Sequence, residues 1–206
     1  MRTTPANQLV QLAFLMAGAL ALAGCASGPT APDAATLMRQ AEAALGSAQL
    51  KTLVLNGRGT GATFGQAFQP GNPWPALNVS TLNRSFNFET GAFGETFARS
   101  RAEPQGGGAV PLMGQGEARA TGFLREGYAW APGAQAGSGT PEPRHIQARQ
   151  HDLWTATPHG ALKAAMKHNA VAGTRLVDGK SVNTLSYTAP GQFAATLVLD
   201  AAGLVT

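Results

Sequence analysis

The chain has 206 residues, 44% of them hydrophobic and only 13% charged, which is ample apolar material for one packed domain and too little charge for an unfolded polyelectrolyte. A formal net charge of +4 arises from 15 Lys and Arg against 11 Asp and Glu with no basic run, so nothing in the charge argues for a nucleic-acid partner. With 26 Gly and 13 Pro, the composition favours a turn-rich β protein over a helical bundle.

At the amino terminus, Arg2 precedes an apolar stretch from Leu12 to Ala23 that suits export and is too short to span a bilayer. The only cysteine, Cys25, follows it directly within LALAGCAS. A lone cysteine among small residues lacks the second sulfur or the histidine cluster that a redox or metal role requires. Leu22, Ala23 and Gly24 before Cys25 instead resemble the bacterial lipobox, whose peptidase cleaves before a diacylglycerol-modified cysteine. That resemblance implies a signal peptide over 1–24, lipidation of Cys25 and a short tether over 25–32, reaching about 25 Å when extended. Each buried CH₂ of an acyl chain contributes about 0.8 kcal/mol, and several chains give stable anchoring. Ala26 after the cysteine, rather than an acidic residue, resembles the sorting signal for the outer membrane, which places the expected domain on its periplasmic face.

A single β-rich domain is expected over 33–206. Asp33 can cap a helix running to about Leu45, with Leu37, Ala41, Ala44 and Leu45 as its buried stripe and Gly46 as its stop. TLVL at Thr52–Leu55 reads as a strand. Gly57, Gly59 and Ala62 satisfy the dinucleotide-binding spacing G-x-G-x-x-A, but no helix follows, as that motif requires, so these glycines read as a bend or bulge. Between Leu77 and Phe88 the apolar residues move from odd to even positions, which predicts a β-bulge near Ser80–Leu82 because strand side chains alternate with a period of two. Phe97 shares the parity of Arg99 and Arg101 in a further strand, and Ala120–Trp130 supplies a strand pair. The segments QGGGAVPLMGQG and PGAQAGSGTPEP read as loops.

After Pro143 the period becomes helical, with Ile146, Gln150, Leu153 and Trp154 on one face. A second helix follows, capped by Thr157 with Pro158 at its first position and with Leu162, Ala165 and Met166 inward. The chain closes in a β-meander: Gly173–Val177, a turn at Asp178-Gly179, Ser181–Thr188, a turn at Pro190-Gly191, and Phe193–Leu199.

The search for chemistry is largely negative. His145, His151, His159 and His168 form no H-E-x-x-H or H-x-H pattern, no G-x-S-x-G is present, and Glu95, Glu103, Glu117 and Glu126 are spaced as solvated residues. No catalytic residue, metal ligand or cofactor is assigned.

The segments at 68–120, GYAWAP at 127–132, 149–170 and DGKSVNTLSY at 178–187, above all PWP at Pro73–Pro75 and W-x-x-T-P-H-G at Trp154–Gly160, resemble the non-catalytic N-terminal region of exported bacterial metallo-β-lactamase-fold hydrolases. The resemblance implies an α+β fold in which a curved antiparallel sheet, half-barrel-like as in periplasmic lipoprotein carriers, packs against a few helices. It also implies that zinc chemistry belongs to a downstream H-x-H-x-D-H domain, a motif this sequence lacks, so no catalytic residue carries over. The turn at Asp200–Gly203 comes where that family continues into further strands, which predicts an incomplete C-terminal edge.

Two functions are therefore expected. One is an accessory or scaffold lipoprotein domain, held at the membrane through its lipid and partnered by a zinc hydrolase, or a fragment of such an enzyme. The other is a carrier or sensor of an apolar ligand or lipid, with Trp74, Phe86, Phe88, Phe97 and Trp154 available to line a cavity; a filled core is the commoner use of such aromatics.

Overall fold

A computed structural model describes residues 32–65, 67, 69–102 and 116–206; the expected signal peptide, Cys25 and most of the expected tether lie outside the described residues, as do Glu103 and most of the expected QGGGAVPLMGQG loop. Among the described residues, helix α1 (Ala34–Leu45) starts where the Asp33 carboxylate accepts a hydrogen bond from the Thr36 amide at 2.7 Å. It stops at Gly46, whose φ of 62° lets its amide reach Ala43 O while Ser47 N reaches Glu42 O, a Schellman closure. Leu37 and Ala41 are buried, but Ala44, expected in the same stripe, stays exposed, and half-buried Met38 and Leu45 complete the inward side.

Six strands then form one antiparallel sheet in sequence order: β1 (Thr52–Ala62), β2 (Ala76–Asn87), β3 (Ala92–Arg101), β4 (Ala118–Arg125), β5 (Tyr128–Pro132) and β6 (Gly139–Pro141). β1 is continuous through its glycines, with a register irregularity between Gly57 and Gly59, where a bend or bulge was expected. The expected bulge is present in β2: Val79 pairs with Arg99 and Thr81 with Ala98, leaving Ser80 as the extra residue, and the shift reappears in β1 between Gly57 and Gly59. Leu77 and Val79 thereby share a face with Leu82, Arg84 and Phe86. β6 corrects the reading of 132–143 as loop throughout, because its short pairing depends on β5 rather than on its own composition.

A 3₁₀ turn at Pro143–His145 leads into α2 (Ile146–Thr155), which is followed by α3 (Pro158–Lys167). Thr157 caps α3 by accepting from Gly160 N at 3.1 Å. The buried residues of α3 are Gly160, Leu162, Ala164 and Ala165, whereas Met166, expected inward, is exposed. At Gly160 the neighbour is close: a Cβ there would lie 2.8 Å from Leu153 O and 3.2 Å from the Phe88 ring. The meander forms a second antiparallel sheet from β7 (Val171–Val177), β8 (Lys180–Ala189) and β9 (Phe193–Leu199). Asp178 and Gly179 both have positive φ, 49° and 75°, as a type I′ hairpin turn requires. At the outer edge of β9, Val205 bridges to Leu199 and Thr206 N donates to Val198 O at 3.0 Å.

The fold is thus α+β, an open and curved six-stranded antiparallel sheet and a three-stranded sheet packed with three helices, and residues Asp33–Thr206 form one compact unit. One core serves all of it. Directly paired residues of neighbouring strands share a face, and Leu53, Phe86, Phe93, Leu124 and Ala129 make a row across β1–β5. That row meets Leu153 and Trp154 of α2, Leu162 of α3, Leu37 of α1 and Leu185, Leu197 and Leu199 of the second sheet. None of the described helices is long and apolar enough to cross a membrane.

Candidate functional site

The structure separates the five aromatics proposed from the sequence as a ligand lining. Phe86, Phe88 and Trp154 meet in the core, with Phe88 5.9 Å from Phe86 and 6.2 Å from Trp154 between ring centroids. Phe97 is half-buried, with the Arg99 guanidinium 5.5 Å above its ring, and is not among the residues of the core cluster. Trp74 lies 43% exposed in the β1–β2 connection, against Phe64. These side chains do not converge on one cavity.

Beside the core row, the next row on the same face, Leu55, Arg84, Glu95 and Gly122, lies under α2 and is polar. Arg84 Nε donates to Glu95 Oε2 at 2.5 Å and its guanidinium reaches Asp152 of α2 at 3.4 Å. Glu95 is therefore not the solvated residue its spacing suggested; its cross-strand pairing with Arg84 places it against the helix. Arg149 lies directly over Gly122, where a Cβ would overlap its Nη2 at 1.9 Å. From there it donates to Glu142 at 2.6 Å, to Phe123 O at 3.1 Å and to Trp130 O at 3.3 Å. Every charge in this cluster has an opposite partner, so it ties α2 to the sheet and offers no unpaired acid or base.

The opposite face of the sheet carries an apolar concavity. Val54, Ser85, Gly94, Phe123 and Trp130 are paired in sequence across β1–β5 on the side away from the helices. A hollow of about 430 Å³ lies here, with Val54 and Ala92 on one side and the Phe123 and Trp130 rings, 5.7 Å apart, on the other. A Cβ at Gly94 would stand 2.8 Å from Ser85 Oγ and 3.2 Å from the Phe123 ring. Sequence reasoning missed this hollow. Its signal was the pairs Leu53-Val54 and Phe123-Leu124, where consecutive apolar residues put a hydrophobe on both faces of a strand that needs only one.

The histidines scatter. His151 packs its ring edge against Phe193 at 5.3 Å, His168 stacks on Tyr187 at 6.1 Å, and His145 sits exposed in the 3₁₀ turn. Among the described residues no group of three or more His, Cys, Asp or Glu is placed to hold a metal ion. Tyr187 is 5% exposed, its hydroxyl has no hydrogen-bond partner, and burial pushes its phenol above the ordinary value. Two carboxylates are held in their charged form: Glu117 is lowered chiefly by the Ser80 hydroxyl, and Asp33 by the Thr36 amide it caps. No family model, curated protein or solved structure matches this chain.

Proposed function

We propose that the chain is an exported lipoprotein, anchored by acylated Cys25 at the periplasmic face of an outer membrane, whose domain serves as a non-catalytic accessory or scaffold, with a zinc hydrolase as its partner. The observation that carries the non-catalytic part is the filled interior: Phe86, Leu124, Leu153 and Leu162 are each at most 2% exposed, so the space between sheet and helices is a packed core. The paired charges around Arg84 and Arg149 support the same reading, since each is engaged in holding α2. The anchor rests on the sequence from Leu22 to Ala26. Protein purified from the membrane fraction of its host is expected to start at an acylated Cys25, to hold no stoichiometric zinc and to leave reporter β-lactams and esters unhydrolysed. Zinc-dependent turnover by the isolated chain overturns the reading.

The hollow at Gly94 favours a second reading, a sensor or carrier of an apolar ligand, because its volume falls within the usual range of small-molecule sites. On this reading the ligand binds on the outer face of the sheet, away from the helices. Native mass spectrometry of the purified chain distinguishes the two: a co-purifying lipid lost in Gly94→Leu supports a carrier, and a clean apo mass that gains nothing on lipid titration removes it.

A further inference from the structure

The two sheets end in four outer strands, and three of these edges are interrupted. β1 is broken by the register shift between Gly57 and Gly59, β6 is three residues long and ends at Pro141, and β9 is met at one end by Val205 and Thr206. β7, with the sequence VAGTRLV, has none of these devices. It pairs with β8 without a register shift from Val171 opposite Ser186 to Val177 opposite Lys180, and it carries no proline and one charge, Arg175. Among the described residues, 171–177 make no main-chain hydrogen bond outside that pairing. The apolar side chains of this strand also lie open: Val171 is 69% exposed, Leu176 73% and Val177 38%. An unprotected edge of this kind offers a row of main-chain donors and acceptors to another strand.

We propose that β7 is a self-association edge, which pairs antiparallel with β7 of a second copy of this chain about a two-fold axis at Thr174 and so joins two three-stranded sheets into one. Alternate residues of a strand turn their N–H and C=O outward, so two copies of β7 can pair only in registers that move in steps of two residues. The register centred on Thr174 pairs the whole strand: Val171 meets the partner's Val177, Ala172 the partner's Leu176 and Gly173 the partner's Arg175. Each exposed hydrophobe is then opposite an apolar residue on its own face, and Ala172, which packs against the core, draws the partner's Leu176 to the core's margin. Arg175 lies over a glycine, which has no side chain to crowd it. The adjacent registers fail. Centred on Arg175, the pairing sets that arginine against its own copy, a like-charge pair; centred on Gly173, it sets Val171 against the partner's Arg175 and leaves Leu176 and Val177 outside. This self-complementarity selects a second copy as the occupant, and the contact does not use the acyl group.

Native mass spectrometry of the full-length protein, released from detergent micelles over a range of concentrations, tests the pairing. The wild type is expected to pass from monomer to dimer as concentration rises and to stop there, because a two-fold edge contact closes on itself. Val171→Lys and Val177→Glu should each weaken the dimer about tenfold, since the axis repeats every change twice. Combined in one chain they should restore it, because each new ammonium then faces the partner's new carboxylate; within one chain the two sites lie about 20 Å apart along the strand and do not meet. Hydrogen exchange of the wild type supplies a readout that needs no variant: the β7 amides should be better protected at high concentration than at low. A wild type that stays monomeric with unchanged β7 protection, assemblies that grow beyond the dimer, single variants that dimerise as the wild type does, or a double variant no better than the single ones would each overturn the proposal.

Discussion

Tyr187 concentrates the energetics at the scale of a single side chain. Its hydroxyl is buried without a partner while the ring packs between His168 and Phe193. An unmade hydrogen bond in the interior destabilises, so Tyr187→Phe is expected to raise stability by about 1 kcal/mol at neutral pH in denaturant titration, and a loss of stability would show that the hydroxyl has a partner. The phenol's value is raised in the folded state, so its contribution is present below the ordinary value of 10.0 and is lost as pH climbs through the folded value. The wild type should therefore lose stability on that alkaline limb and Tyr187→Phe should not. Gly122 offers the complementary test. Gly122→Ala must push Arg149 off Phe123 O, Trp130 O and Glu142, at a cost on the order of 2 kcal/mol. In a double-mutant cycle with Arg149→Ala the two losses should be far from additive; additive losses would mean that Arg149 is not what the new methyl displaces.

Among the elements, α1 depends on its cap and β2 on its bulge. Because the Asp33 carboxyl is held below its ordinary value of 3.8, the cap contributes above that pH and is lost as pH falls through the folded value. Asp33→Ala should melt earlier than the wild type near neutrality, and the difference should close in acid; Asp33→Asn should keep the cap with little pH dependence. A gap that persists unchanged in acid would contradict the cap. The bulge was readable from the sequence to within Ser80–Leu82, since the parity of Leu77 and Val79 against Leu82, Phe86 and Phe88 calls for one extra residue; the pairing picks out Ser80. Deleting Ser80 should remove the bulge while keeping Leu77 and Val79 on the face of Leu82 and Phe86, so a single cooperative unfolding transition should persist; its loss would show that the extra residue itself is required. The Asp178-Gly179 turn and the caps of α1 and α3 were equally legible, each being fixed by a few neighbouring residues. What escaped needed register. Glu95 meets Arg84 and Gly94 lies beneath Phe123 only because β3 pairs as it does on both sides, and β6 exists only because β5 supplies its partner. Gly160 is buried because the approach of α2 to α3, a tertiary distance, leaves no room there for a Cβ beside Leu153 O.

At the scale of the whole molecule, one core joins both sheets through the helices, so truncating it anywhere should be felt globally. Leu162→Ala, at 0% exposure, is expected to cost about 3 kcal/mol and to lower a single cooperative transition rather than split it. The space between sheet and helices is filled, and the hollow at Gly94 lies on the outer face of the sheet. The most direct measurement is the intact mass, with peptide mapping, of the protein taken from its native membrane. The account predicts a mature chain beginning at Cys25 and heavier than its sequence by the mass of several acyl chains with their glycerol link, whereas an unmodified cysteine, or cleavage elsewhere, would contradict it.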